Sequence, residues 1–325
     1  MVQSGTAEGG TEAVDLLCMG EPMLEFNQLP ATPDGAQHYL QGFGGDTSNA
    51  AIAASRQGAR VGYITALGQD MPGDAFMALW RNEGVDTATV RRSPQWQTGV
   101  YFVTHDSGGH HFLHYRTNSA AAMYAASDLP EAAIAAARIL FVSGISQGIS
   151  ASACDAVFAA IDSARRHGVA VAYDTNYRPR LWPPSRAAAV MHAAMQDADF
   201  AIPGLEDVQT LTGLTDPQAM LDFYLRLGCR VVLLKMGAAG AWLATPDARI
   251  AIPPYPVQAV DATGAGDTFC GAFLARILAG DTPDAAARYA AVAAALKCTG
   301  YGAVAPIPHA ATVLAALHAP NGAPA

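Results

Sequence analysis

The 325-residue chain is most easily classified by what it lacks. No G-x-x-x-x-G-K-[ST] occurs, so phosphate is not held by a P-loop, and Gly264-x-Gly266 lacks the third glycine of a dinucleotide fingerprint. Cysteine is scarce: five residues, at 18, 154, 229, 270 and 298, with no C-x-x-C. An odd, scattered set excludes a zinc cage and suits free thiols in a reducing compartment. Basic residues are few, 19 against 28 acidic, for a net charge of −9. Nucleic acid and anionic membranes are therefore poor candidates as main partners. No run reaches the ~18–20 apolar residues needed to cross a bilayer. Residues 1–13 lack a signal peptide's basic and apolar regions, so a soluble, cytoplasmic protein is expected.

What is present suits one large domain, since 51% of the residues are hydrophobic. Strand-like apolar runs at 13–19, 60–67, 139–143, 169–174, 200–203 and 231–235 alternate with Ala-rich helical stretches such as 48–57 and 151–167. That alternation predicts an α/β fold: a doubly wound, mainly parallel sheet with helices on both faces and chemistry at its carboxyl edge. The domain is expected over 14–318, between tails 1–13 and 319–325. Two segments, about 23–43 and 98–116, have no helical period. The second reads as a hairpin turning at Asp106–Gly109. Together they predict one small β-sheet projecting as a lid, a dimerisation surface, or both.

The most informative stretch is Asp261-Ala262-Thr263-Gly264-Ala265-Gly266-Asp267, at the start of an apolar helix that ends near Gly280. Small residues let backbone amides converge, and a helix N-terminus adds roughly half a positive charge there. A carboxylate beside such an anion site suggests a kinase with Asp267 as general base; an ordinary helix N-cap is the plain alternative. Gly44-Gly45-Asp46, with Asn49, offers close backbone approach and acceptors for hydroxyls, or a simple turn. In the hairpin, Phe112, His114 and Arg116 share one face, and Arg116 is suited to a carboxylate or to solvent. Asn176 and Arg178 follow a strand ending at Asp174. Glu206 could orient water around Mg²⁺ or simply begin a helix. Lys235, Gly237 and Gly240 could border a nucleotide or form a plain turn.

The order of these motifs resembles that of the ribokinase-like (PfkB) carbohydrate kinases over roughly residues 15–308. Within that family the chain is most similar to the 2-keto-3-deoxygluconate kinases, through Gly20–Glu25, Thr65–Gly68, Tyr115–Ala121, Ser143–Ser146 and Asp174–Trp182. The resemblance implies ATP and Mg²⁺, Asp267 as base, and an anion hole at Gly264, Ala265 and Gly266. It implies substrate contacts from Gly44, Gly45, Asp46, Asn49, Tyr101, His114, Arg116, Asn176 and Arg178, and nucleotide contacts from Lys235, Gly237, Gly240, Gly264 and Gly266. The implied partners are ATP and a sugar acid phosphorylated on its terminal hydroxyl, with a homodimer through the lid. Fructokinase, ribokinase and a silent sugar-binding regulator are the rival readings. Asp261 and Thr263 resemble the start of a monovalent-cation loop, which raises K⁺ as a further cofactor. Two departures stand out. His114 replaces a tyrosine common in relatives, and its charge could vary near neutral pH. Pro203 replaces an asparagine three residues before Glu206.

Overall fold

The computed structural model describes residues 14–318 apart from 31, 33, 107 and 108; the expected tails and part of the hairpin turn lie outside them. Along the chain come β1 (Leu16–Met19), β2 (Met23–Gln28), β3 (Tyr39–Gly44), α1 (Asp46–Arg56), β4 (Val61–Gly68) and α2 (Met71–Asn82). Next are β5 (Val85–Asp86), β6 (Val90–Ser93), β7 (Gly99–Asp106), β8 (Gly109–Tyr115), α3 (Glu131–Ala136) and β9 (Ile139–Ser143). Then follow α4 (Gly144–Gly148), α5 (Ala151–Arg166), β10 (Ala170–Asp174), α6 (Pro184–Met195), β11 (Phe200–Ala201), α7 (Leu205–Thr212) and α8 (Pro217–Leu227). The last elements are β12 (Val231–Lys235), β13 (Ala241–Ala244), β14 (Arg249–Ile252), α9 (Ala265–Leu278), α10 (Pro283–Lys297) and α11 (Ala310–His318).

The main sheet runs β14-β13-β12-β11-β10-β9-β1-β4-β5, with β6 also pairing β4. It is parallel except at β13 and β14, an antiparallel edge not foreseen from the sequence. Strand alternation sends Leu16 and Cys18 into one core, under α1, α9 and α10. Leu17 and Met19 enter the other, under α5, α6 and α8. A strand buried on both faces must be apolar throughout, which is why β1 shows no polar alternation.

The two segments without helical period form one four-stranded sheet, in the order β3-β2-β7-β8. Residues of β2 and β7 pair in parallel, from Met23–Gly99 to Asn27–Val103. This sheet rises beside the carboxyl ends of the main strands. There, Asp174 closes β10 and Lys235 closes β12.

Candidate active site

One cavity of about 1110 Å³ lies between the two sheets, lined by both. Its floor is the start of α9. Gly264 caps this helix in the left-handed conformation, φ 78°, with no side-chain cap. Asp267 therefore does not cap its helix; its Oδ2 instead accepts a hydrogen bond from Asn49 Nδ2 on α1, 2.8 Å away. The Ala265 N–H is already taken by the Ala262 carbonyl at 3.1 Å. That removes it from the predicted anion hole. Helix geometry leaves the N–H groups of Gly266 and Asp267 without intrahelical acceptors, so these two amides face an incoming anion.

Asp267 keeps partial access to solvent but is crowded by protein. Desolvation, then the charges of Asp46 and Asp174, push its carboxyl up to about 7, against the pull of Asn49 and Lys235. Such a value suits a base working near neutral pH. Lys235 Nζ donates to Asp174 Oδ2 at 2.7 Å, and that carboxylate raises the lysine above its ordinary value despite burial. The Cys270 Sγ lies 3.3 Å from the same oxygen, and burial pushes this thiol well up.

Asp46 begins α1 without capping it and accepts from Asn176 Nδ2 at 3.1 Å. Oδ1 atoms of Asp46, Asn49 and Asp174 are buried without a protein hydrogen-bond partner. Buried acceptors are rarely left unpaired, so Asp46 and Asn49 beside the cavity fit a ligand rich in hydroxyl donors. The paired glycines ahead of them are steric necessities. A Cβ on Gly44 would meet the Tyr101 hydroxyl at 2.6 Å, and one on Gly45, at φ 107°, the Glu21 carbonyl at 2.5 Å.

The far end of the cavity is electropositive. His114 stacks on Tyr101, whose hydroxyl bonds Glu25. Burial, then Arg116, Arg180 and Arg178, push His114 down to about 4. It is therefore neutral near pH 7, and the expected variable charge is corrected. Arg116 also lines the cavity, but its charge is already answered by protein. Its guanidinium pairs with Glu21, whose side chain is 0% exposed and also accepts from Ser119 Oγ at 2.6 Å. Neither glutamate was singled out as a site residue from sequence. Arg180 bonds the Phe112 carbonyl at 2.7 Å, tying the lid to the body. Arg178 lines the cavity, exposed, with no side-chain partner among the described residues.

Other predicted residues lie off the cavity wall. Glu206 is exposed in the first turn of α7, while its neighbour Asp207 holds the 175–177 loop through Thr175 Oγ1 at 2.7 Å and Tyr177 N at 3.1 Å. Gly237 and Gly240, at φ 56° and 87°, shape the turn from β12 to β13; a Cβ on Gly240 would meet the Ile252 carbonyl at 2.2 Å. Asp261 lies behind the anion loop. Its Oδ1 accepts from Thr263 N and Oγ1 at 2.9 and 2.7 Å, and its Oδ2 from Gly302 N at 2.8 Å.

A match to the pfkB family carbohydrate kinases spans residues 14–310, nearly the whole described chain. The chain belongs to the pfkB family. Among its relatives, the 2-dehydro-3-deoxygluconokinase of Thermoproteus tenax is 32% identical over 289 residues, covering 87% of this chain and 88% of that protein. Fructokinase-1 of Oryza sativa subsp. japonica is 30% identical over 312 residues, covering 92% and 96%. A fructokinase structure with bound ATP from Xylella fastidiosa superposes with TM-score 0.85 at 26% identity, covering 93% of this chain and 98% of that one. As a family member, this chain is a carbohydrate kinase.

Proposed function

We propose that the chain transfers the γ-phosphoryl of ATP to the terminal hydroxyl of 2-keto-3-deoxygluconate, also called 2-dehydro-3-deoxygluconate. The observation that carries this reading is the unpaired Arg178 guanidinium at one end of a cavity whose other end holds Asp267. A sugar acid fits both ends: its carboxylate on Arg178, its hydroxyls on Asp46 and Asn49, its terminal hydroxyl at Asp267. A neutral sugar leaves the guanidinium unused. Asp267 takes the hydroxyl proton as the new O–P bond forms. The bond from the γ-phosphorus to the bridging oxygen breaks, and ADP leaves with that electron pair. The Gly266 and Asp267 amides offset charge on the transferring group. Among the described residues no group of three or more His, Cys, Asp or Glu side chains could hold a metal ion. That fits Mg²⁺ carried mainly by nucleotide phosphates and water, where it neutralises phosphate charge. Glu206, exposed in the first turn of α7 and off the cavity wall, is the side chain this reading assigns to orient that water.

The test compares kcat/KM for 2-keto-3-deoxygluconate and fructose with ATP and Mg²⁺. The keto acid is expected to be preferred. Arg178→Ala should raise its KM by about 10-fold, the scale of one exposed charge-assisted contact, and leave the KM for ATP unchanged. Arg116→Ala instead strands the buried Glu21 carboxylate and should lower Tm, a loss of about 3 kcal/mol. Equal use of fructose, as the fructokinase relatives would suggest, would overturn the substrate while keeping the reaction.

The outer face of the small sheet, opposite Tyr101 and His114, exposes Tyr39, Leu113 and Tyr115 around the stacked pair Phe26 and Phe102. We place a homodimer contact there, since exposed aromatic patches of this kind mark association surfaces. Light scattering should give twice the chain mass for the native protein and a monomer for Tyr115→Asp; a monomeric native protein would remove the contact.

A further inference from the structure

The chain has only two lysines, Lys235 and Lys297, among 19 basic residues. Arginine serves everywhere else, and both lysines stand near the anion loop, Lys235 half-buried and Lys297 buried. Lys235 touches the cavity and pairs with Asp174. Lys297 does neither. It is the last residue of α10 and is 0% exposed. A lysine at a helix end ordinarily reaches its own helix carbonyls or water. This ammonium instead donates to the main-chain carbonyl of Asp261, 36 residues earlier, at 2.8 Å. That carbonyl belongs to the loop that resembles the start of a monovalent-cation site. The surrounding backbone is tied down around it. Val260 and Asp261 N–H groups both bond the Cys298 carbonyl, at 2.7 and 3.1 Å, and Gly302 N–H bonds the Asp261 carboxylate. Burial lowers the Lys297 pKa, while the charges of Asp261 and Asp267 hold it up.

We propose that the Lys297 ammonium is a built-in monovalent cation, doing in this chain what a bound K⁺ would do in the same loop. A primary ammonium is a compact point charge close to K⁺ in size, and it coordinates carbonyl oxygens as K⁺ does. Two such charges cannot share one carbonyl cluster without strong repulsion, so the residues present do not fit an added K⁺. Tethered to α10, the charge is always in place. It holds the 261–264 turn in the shape that aims the Gly266 and Asp267 amides and adds positive potential behind them. The chain should therefore work without K⁺.

The activity arm of the test rests on the kinase reading; the thermal arm does not. Native protein, Lys297→Ala and Lys297→Met are compared in KCl, NH₄Cl, NaCl and tetramethylammonium chloride at equal ionic strength. Native protein should show the same phosphoryl-transfer rate and the same Tm in all four salts. Lys297→Ala opens the site. Its rate should fall by about 10-fold or more in tetramethylammonium, the loss of one modest transition-state contact, and recover with K⁺ or NH₄⁺. Its Tm should rise in the same two salts. Lys297→Met fills the space without charge, so it should be slow in every salt, and it reports even if the alanine variant does not fold. Native protein whose rate or Tm depends on K⁺ would overturn the proposal. So would a Lys297→Met protein with full activity, or a folded Lys297→Ala protein indifferent to K⁺ in both readouts. Failure to find a sugar substrate would bear on the kinase reading alone and leave the Tm comparison standing.

Discussion

Asp267→Asn protein should turn over at least about 10²-fold more slowly than native protein, with ATP affinity largely kept, as expected when a general base is lost. The amide preserves the Asn49 contact through its oxygen but cannot take a proton. Single-turnover phosphoryl transfer separates this from a binding defect, and a nearly active variant would defeat the assigned role. For a general base of this kind the working form is the carboxylate. Because desolvation and Asp46 raise Asp267 to about 7, the rate should rise with pH through about 7 and then level off. Stability should move the other way. The group binds its proton more tightly folded than unfolded, so its contribution to stability is fully present below the ordinary carboxylate range. It is lost as pH rises through about 7. Asp267→Asn escapes that penalty and should melt above native protein at pH 8, with the two curves converging near pH 4.

Gly271→Ala should cost both stability and rate. Gly271 lies where α9 crosses α1, and a Cβ there would stand 2.1 Å from the Ala50 carbonyl and 2.8 Å from the Ala53 Cβ. Backbone cannot give way as a flexible side chain can, so the helices must separate. Overpacking of this kind costs about 1–3 kcal/mol, readable as a lower Tm. The same separation stretches the Asn49–Asp267 hydrogen bond that spans the two helices. A misplacement of about 1 Å at a reacting group can cost roughly 10²-fold, so kcat should fall further than the melting shift alone would suggest. Unchanged kcat in folded Gly271→Ala protein would show that the helix spacing does not set the base.

Local features were the legible ones. The run Asp261–Asp267 announces a tight turn and a helix start within seven residues, and the structure builds both. Loss of helical period in two segments was enough to predict one small sheet. What stayed hidden depends on partners distant in sequence. Nothing local says that Arg116 meets Glu21, 95 residues earlier, or that Lys297 reaches back to Asp261. A charged residue advertises its sign but not whether the fold already answers it. His114 is the same case. Its ordinary titration range comes from the side chain, and the shift to about 4 comes from burial and three arginines assembled from two regions. The glycines at 237 and 240 suited a passing nucleotide or a plain turn, and their positive φ values shape the turn into an antiparallel edge the sequence pattern did not reveal.

The contact between α1 and α9 also has a meaning in time. Asn49 and Asp267 are 218 residues apart. At synthesis rates of about 5–20 residues per second, α1 waits roughly 10 to 40 seconds for the helix that covers it. Every residue from Asp46 to Ala54 is buried in the finished molecule, so until then a whole small-residue face stands open. A ribosome-bound chain stalled before residue 265 should therefore hold α1 and the Gly44–Gly45 turn ahead of it uncovered and be the form most in need of a chaperone.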